Sequence, residues 1–96
     1  MTALWIAHVE VTDPEAYGRY AVIATEAIAA HGGVFLARGG RYVQLEGPDR
    51  ARNVVARFPS VEVALECYNS QRYQEGLAFA KGAAVRDLMV VEEVEP

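Results

Sequence analysis

Trp5-Ile6-Ala7-His8-Val9-Glu10-Val11 is apolar at every odd position, while its even positions run from Ile6 into His8 and Glu10. A strand sends successive side chains to opposite faces, so this stretch has one uniform core face and one face that carries ionisable groups. Two later stretches repeat the pattern: Phe35 and Ala37 alternate with Arg38, and Val54, Ala56 and Phe58 alternate with Arg57. The polar face is where chemistry is expected.

Punctuation around these strands sets the remaining elements. The first strand, about Ala3 to Val11, ends at Thr12-Asp13-Pro14. There Asp13 can cap a helix, Pro14 suits its first position, and Glu15 favours the positive end of the dipole. Tyr17, Tyr20, Ala21, Ala24, Ile28 and His31 recur at spacings of three and four and predict a stripe packed on the sheet. Gly32-Gly33 stops this helix because a residue past the C-terminus often needs positive φ. Val34 to Arg38 reads as a second strand, followed after Gly39-Gly40 by a further alternating piece, Arg41 to Glu46. Asn53 to Phe58 is the next long strand, and Ser60 caps a helix with Ala64, Leu65 and Tyr68 on its buried side. Ser70 caps a third helical segment carrying Tyr73, Leu77 and Ala80, closed by Gly82, and Val85 to Val94 supplies the last strand.

The order strand, helix, strand, strand, helix, strand predicts an α+β fold, a ferredoxin-like βαββαβ unit with an antiparallel sheet and helices on one face. The strands starting near Ala3 and Asn53 are then central neighbours. Trp5, Ala7, Val9, Val11, Phe35, Ala37, Val54, Ala56 and Phe58 are assigned to the helix side. Leu4, Ile6, His8, Glu10, Val34, Leu36, Arg38, Val55 and Arg57 are assigned to the other. That second face is too apolar in its middle to be left in water, so a second copy is expected to cover it and form a barrel-like homodimer with a lined cavity.

The chain has 96 residues, which fit a single domain over 1–96. A chain so short buries only about 60 to 65% of the surface its unfolded form exposes, and dimerisation would supplement that core. Its net charge is -4, with basic residues scattered rather than clustered, which argues against nucleic acid. No run approaches the roughly 18 apolar residues of a membrane span, and no secretory leader pattern is visible, so a cytoplasmic location is expected. The lone Cys67 lies between apolar neighbours and reads as a small buried hydrophobe. His8 and His31 have no metal-ligand spacing, His31 reads as a helix cap, and no strand-to-helix glycine loop is available for a nucleotide; no metal or cofactor is expected.

Several motifs together resemble a bacterial family known as domain of unknown function 1330, within the dimeric α/β-barrel superfamily. They are Val11-Thr12-Asp13-Pro14-Glu15-Ala16-Tyr17, His31-Gly32-Gly33, Leu36-Ala37-Arg38-Gly39-Gly40, Leu45-Glu46-Gly47, Arg57-Phe58-Pro59-Ser60 and Tyr68-Asn69-Ser70-Gln71-Arg72-Tyr73, and the likeness runs from Leu4 to about Glu93. The resemblance implies the ferredoxin-like fold and a homodimer, with no reaction assigned. Gln71 stands where relatives commonly have proline, so a softer break before the third helical segment is expected. Similar barrels in the superfamily serve as cofactor-free monooxygenases, lactone isomerases and haem-handling enzymes, but fold analogy does not fix function.

Among individual residues, His8 is the candidate catalytic base, with Glu10 on the same strand face to orient it, because imidazole titrates near neutral pH. Arg38 and Arg57, on neighbouring strands, are the candidate ligand-binding pair for the carboxylate or enolate oxygen of a small organic acid. The competing assignment neutralises them with Glu10 or Glu46 in a structural ion pair. Tyr17, Tyr20, Tyr68 and Tyr73 are candidate phenolic donors to a ligand, with Tyr20 and Tyr68 foremost, set against ordinary core packing with a wet tip. Two functional readings follow: a small enzyme or binder for an apolar organic acid at the sheet interface, and a non-catalytic homodimer whose polar sheet face only sets subunit register. Both require self-association, so light scattering at micromolar concentration is expected to return about twice the chain mass; a monomer mass would remove the intersubunit cavity.

Overall fold

A computed structural model describes residues 1–95. The elements are β1 (Ala3–Val11), α1 (Pro14–Ala30), β2 (Val34–Arg38), β3 (Arg52–Phe58), α2 (Val61–Asn69), α3 (Gln71–Ala80) and β4 (Ala84–Glu92). The strands form one antiparallel sheet in the order β2-β3-β1-β4, with β1 and β3 central as the sequence predicts. No helix among the described residues is long and apolar enough to cross a membrane.

Local chemistry sets the helix boundaries. The Ala16 amide donates to Asp13 Oδ1 at 3.3 Å, and Pro14 opens α1. At the other end the Gly33 amide donates to the Ile28 carbonyl at 2.8 Å and the Gly32 amide to that of Ala29 at 3.1 Å, with Gly32 at φ 76°; this is a Schellman stop, which needs a left-handed residue. The break between α2 and α3 is sharp despite Gln71. Ser70 adopts an extended conformation (ψ 150°), donates its hydroxyl to the Cys67 carbonyl at 2.6 Å and accepts from the Tyr73 amide at 3.2 Å. One serine thus stops one helix and starts the next.

Pairing register turns the alternation of β1 into rows across the sheet. Beneath the helices lie the rows Phe35-Ala56-Trp5-Val90 and Val54-Ala7-Leu88. Trp5 is the centre of this layer, with ring centroids 5.6 Å from Phe58, 6.1 Å from Tyr68 and an edge-on 5.2 Å from Tyr73. Truncating such a buried indole costs about 3–5 kcal/mol. On the opposite face the rows are Val34-Arg57-Leu4-Val91, then Ala37-Val55-Ile6-Met89, then Asn53-His8-Asp87. Their middle is apolar and uncovered in the single chain, with Val34, Met89 and Val91 all exposed.

Three sequence expectations fail locally. Arg41 to Glu46 is not a strand but an irregular exposed segment, with Leu45 86% accessible; its alternation has no sheet edge to register against. Ala37 pairs with Val55 and so lies on the open face, because a bulge between Phe35 and Ala37 inserts one extra residue. Leu65 is half-exposed rather than buried, and Cys67 takes its place in the core of α2.

At Gly76 α1 and α3 approach closely. A Cβ built there would stand 2.8 Å from Ile23 Cγ2 and 3.0 Å from Ile23 Cβ. Ile23 is β-branched and stiff in a helix, so it cannot swing away. Gly76→Ala gains about 1 kcal/mol of helix propensity but incurs overpacking of roughly 1–3 kcal/mol, and a net loss of stability is expected. A urea midpoint at or above that of the parent would contradict this close approach.

Candidate functional site

One end of the layer beneath the helices is charged. In the row Arg52-Val9-Arg86 two arginines flank Val9 from the neighbouring strands, and in the next row Arg38 lies opposite Val54. The β2 bulge puts Arg38 there. Without the extra residue Arg38 would face Asn53 on the open side; with it, the parity flips and the guanidinium turns under α1.

These three cations lean on aromatic rings instead of carboxylates. Arg38 Cζ is 4.5 Å from the Phe35 ring centroid, Arg52 Cζ 5.9 Å from Tyr17 and Arg86 Cζ 4.6 Å from Tyr20. The ion pairs among the described residues use Arg19, Arg50, Arg57 and Arg72, and none involves Arg38, Arg52 or Arg86. The Nε atoms of Arg52 and Arg86 are buried without a hydrogen-bond partner among the described residues. Arg38 is exposed and Arg52 and Arg86 are half-buried, so the cost falls on the two buried Nε–H groups, whose guanidinium groups stay charged under all ordinary conditions. An anion would relieve that cost.

Arg86 also organises two phenols. Its Nη2 donates to Tyr20 Oη at 2.7 Å and to Tyr73 Oη at 3.3 Å, and the two hydroxyl oxygens are 2.7 Å apart. Burial holds both phenols above their ordinary pKa, so each keeps its proton at neutral pH.

Tyr20, Arg86, Arg38 and Arg52 line a narrow chamber of ≈ 30 Å³ whose walls are otherwise mostly apolar, among them Trp5, Ala24, Ile28 and Phe35. That is room for a water or two. Its mouth, formed by Ala21, Thr25, Arg38 and Arg52, is shared with an open cleft of ≈ 470 Å³. Among the described residues no carboxylate, imidazole or thiol lines the chamber.

The residues singled out from sequence are divided among three places. His8, Glu10 and Arg57 do share the open sheet face, but they do not converge. His8 lies opposite Asn53 and Arg57 opposite Leu4, four residues along β1, which is about 13 Å. Imidazole Nδ1 of His8 is 2.7 Å from Asn53 Oδ1, and Asn53 rather than Glu10 orients the ring. Arg57 is engaged by Glu93, with Nε to Oε1 at 2.7 Å and Nη2 to Oε2 at 3.2 Å. That guanidinium holds the Glu93 carboxyl below the usual carboxylate range. Within the single chain the neutralising partner is therefore Glu93 rather than Glu10 or Glu46. Arg38 is separated from Arg57 by the thickness of the sheet, so the expected Arg38–Arg57 clamp does not exist. Tyr20 lines the chamber, while Tyr68 lies apart from it, beside Trp5, Leu65 and Leu88 in a second apolar depression under α2.

Sequence reasoning missed Arg52 and Arg86. Parity offered a signal for Arg52, which has the spacing of Val54, Ala56 and Phe58. Arg86 shares its parity with Leu88 and Val90, but Val85, Met89 and Val91 make the other parity equally apolar. Only pairing with β1 resolves the two faces. Cys67 is buried as expected, and burial pushes its thiol up to about 11, far from a nucleophile's range.

The chain matches the family described as Domain of unknown function (DUF1330) over residues 2–94 and belongs to it. Among solved structures it is similar to RPA0582, a protein of unknown function from Rhodopseudomonas palustris, with TM-score 0.79 and 21% identity over 99% of this chain and 84% of that one. It is also similar to SnoaB, a cofactor-independent oxygenase from Streptomyces nogalater, with TM-score 0.65 and 10% identity over 99% and 95% of the two chains. A dimeric protein of unknown function and ferredoxin-like fold from Bacteroides fragilis aligns with TM-score 0.58 and 11% identity over 96% of each chain. At these identities the likeness concerns the fold. No curated protein matches the chain.

If Arg86 is held at a cost for a ligand, its removal should not harm the empty protein. Arg86→Met, of similar length and without charge, is expected to leave stability unchanged in chemical denaturation, the hydrogen bonds to Tyr20 and Tyr73 being offset by the unpartnered buried Nε–H. A loss of about 2 kcal/mol or more would make Arg86 a structural residue.

Proposed function

We propose that this DUF1330 protein binds a small apolar organic acid in the cleft between α1 and the β2–β3 side of the sheet, and that it does so as a homodimer. The observation that carries the reading is the convergence of Arg38, Arg52 and Arg86 on a largely apolar chamber lacking a carboxylate. Arg52 and the more exposed Arg38 stand at the mouth, where their planar forks suit a carboxylate. Arg38 sits on an edge strand beside an irregular segment, and its displacement would join the chamber to the outer cleft. The ligand therefore lies under the helices of one chain rather than between two sheets.

The open sheet face supports the second half of the proposal. Its apolar middle rows are flanked by polar ends, one built on Arg57–Glu93 and the other on Arg50–Asp87 and His8–Asn53. An apolar centre with a polar rim is the anatomy of a protein interface. His8 and Glu10 then serve subunit register, which assigns the structural-dimer reading to this face and the ligand to the other. For cofactor-independent oxygenation of the kind SnoaB performs, the described residues supply no candidate base in this chamber.

Thermal shift with paired probes tests the ligand half. Benzoate, 4-tert-butylbenzoate and octanoate are expected to stabilise the protein, by about 2.7 kcal/mol at about a hundred times Kd, while the corresponding amides do not. Arg52→Met should abolish the difference. Equal shifts with acids and amides, or acid-specific shifts that survive in Arg52→Met, would refute the site.

A further inference from the structure

The donors in the chamber can be counted. Tyr20 and Tyr73 each carry one O–H, and both are protonated. Their oxygens are 2.7 Å apart and both accept from Arg86 Nη2, so one hydroxyl donates to the other and the second O–H has no acceptor in the cluster. Tyr20 lines the chamber and Tyr73 lies behind it. With Tyr73 donating to Tyr20, the Tyr20 O–H is free to point into the chamber. Arg86 Nε–H is buried beside it and unused. At this deep end the chamber presents donors and no charged acceptor.

From this count we infer that Tyr20 and Arg86 form a second, oxyanion-binding subsite, and that the ligand is a hydroxyaryl or enolisable oxo acid whose second oxygen is held there as phenolate or enolate. The inference rests on the carboxylate site at Arg38 and Arg52 and names the ligand class that site would take. Tyr73 is a positioning residue that orients the Tyr20 hydroxyl. The groups facing the bound oxygen are Tyr17 and Tyr20 from α1, Tyr73 from α3, Arg38 from β2, Arg52 from β3 and Arg86 from β4; β1 contributes only the non-titrating Trp5 and Ala7. Within the chamber the three cations face no carboxylate among the described residues, and Glu26, which shares the outer cleft with Arg38 and Arg52, is paired with Arg72, so the anionic form of the ligand is favoured over the neutral form. No base lines the chamber among the described residues, and the ligand's O–H proton therefore leaves to bulk water through the mouth.

The test uses 4-hydroxy-3-nitrobenzoate, whose phenolate absorbs visible light, and 3-nitrobenzoate, which lacks the hydroxyl. Quenching of Trp5, the single tryptophan and part of the chamber wall, reports occupancy independently of ionisation. The bound hydroxy acid is expected to ionise about one pH unit below the free molecule, a roughly tenfold gain in acidity, and to bind about tenfold more tightly than 3-nitrobenzoate. Tyr20→Phe should remove both effects while 3-nitrobenzoate still binds, and Tyr73→Phe should reduce the shift in ionisation with little loss of occupancy. Quenching by both acids with an unshifted titration overturns this subsite and leaves the carboxylate site standing. No quenching by either acid overturns both.

Discussion

The burial of one parity of β1 is the constraint on which the rest of the structure depends. Trp5, Ala7 and Val9 face the helices, and each strand that pairs with β1 must bring its own matching residues to the same layer. A shift of one residue would exchange the layers wholesale, exposing Trp5 and burying His8 and Glu10. The aromatic cluster around Trp5 fixes that choice, because Phe58, Tyr68 and Tyr73 reach it from a strand and from two helices.

The same layer ends in a charged patch, and the change of character occurs over a single row. At Ala7 the neighbours are Val54 and Leu88; at Val9 they are Arg52 and Arg86. The helices still cover this end, with Tyr17 and Tyr20 from α1 over the arginines and Tyr73 from α3 behind them. Aromatic faces and phenolic oxygens are weak substitutes for a carboxylate, so the patch is tolerated rather than stabilising. Natural proteins concentrate such unfavourable arrangements where ligands bind. The opposite sheet face shows contrasting chemistry: Arg50 and Arg57 are paired with Asp87 and Glu93, in keeping with its proposed role in association.

The β2 bulge links the two faces. It takes Arg38 away from Arg57 and gives it to the chamber, and it moves Ala37 onto the open face. Edge strands often carry bulges beside functional sites, where they re-aim a side chain. Here the re-aimed residue is an arginine at a cleft mouth.

The residues themselves determined the element order, the helix caps at Asp13, Ser60 and Ser70, the glycine stop at Gly32, the central pairing of β1 with β3 and the burial of Cys67. These follow from rules that act over a few residues: alternation, capping geometry and the conformational freedom of glycine. The site was only partly legible. Tyr20 was on the right helix face, and Arg38 was named but placed on the wrong side. Arg86 was hidden in a strand apolar at both parities, and Arg41 to Glu46 alternated without becoming a strand. Tertiary structure decided these points, because an inserted residue resets parity beyond it, and pairing with a partner strand selects which of two apolar faces is covered. A short periodic pattern contains neither the bulge nor the partner.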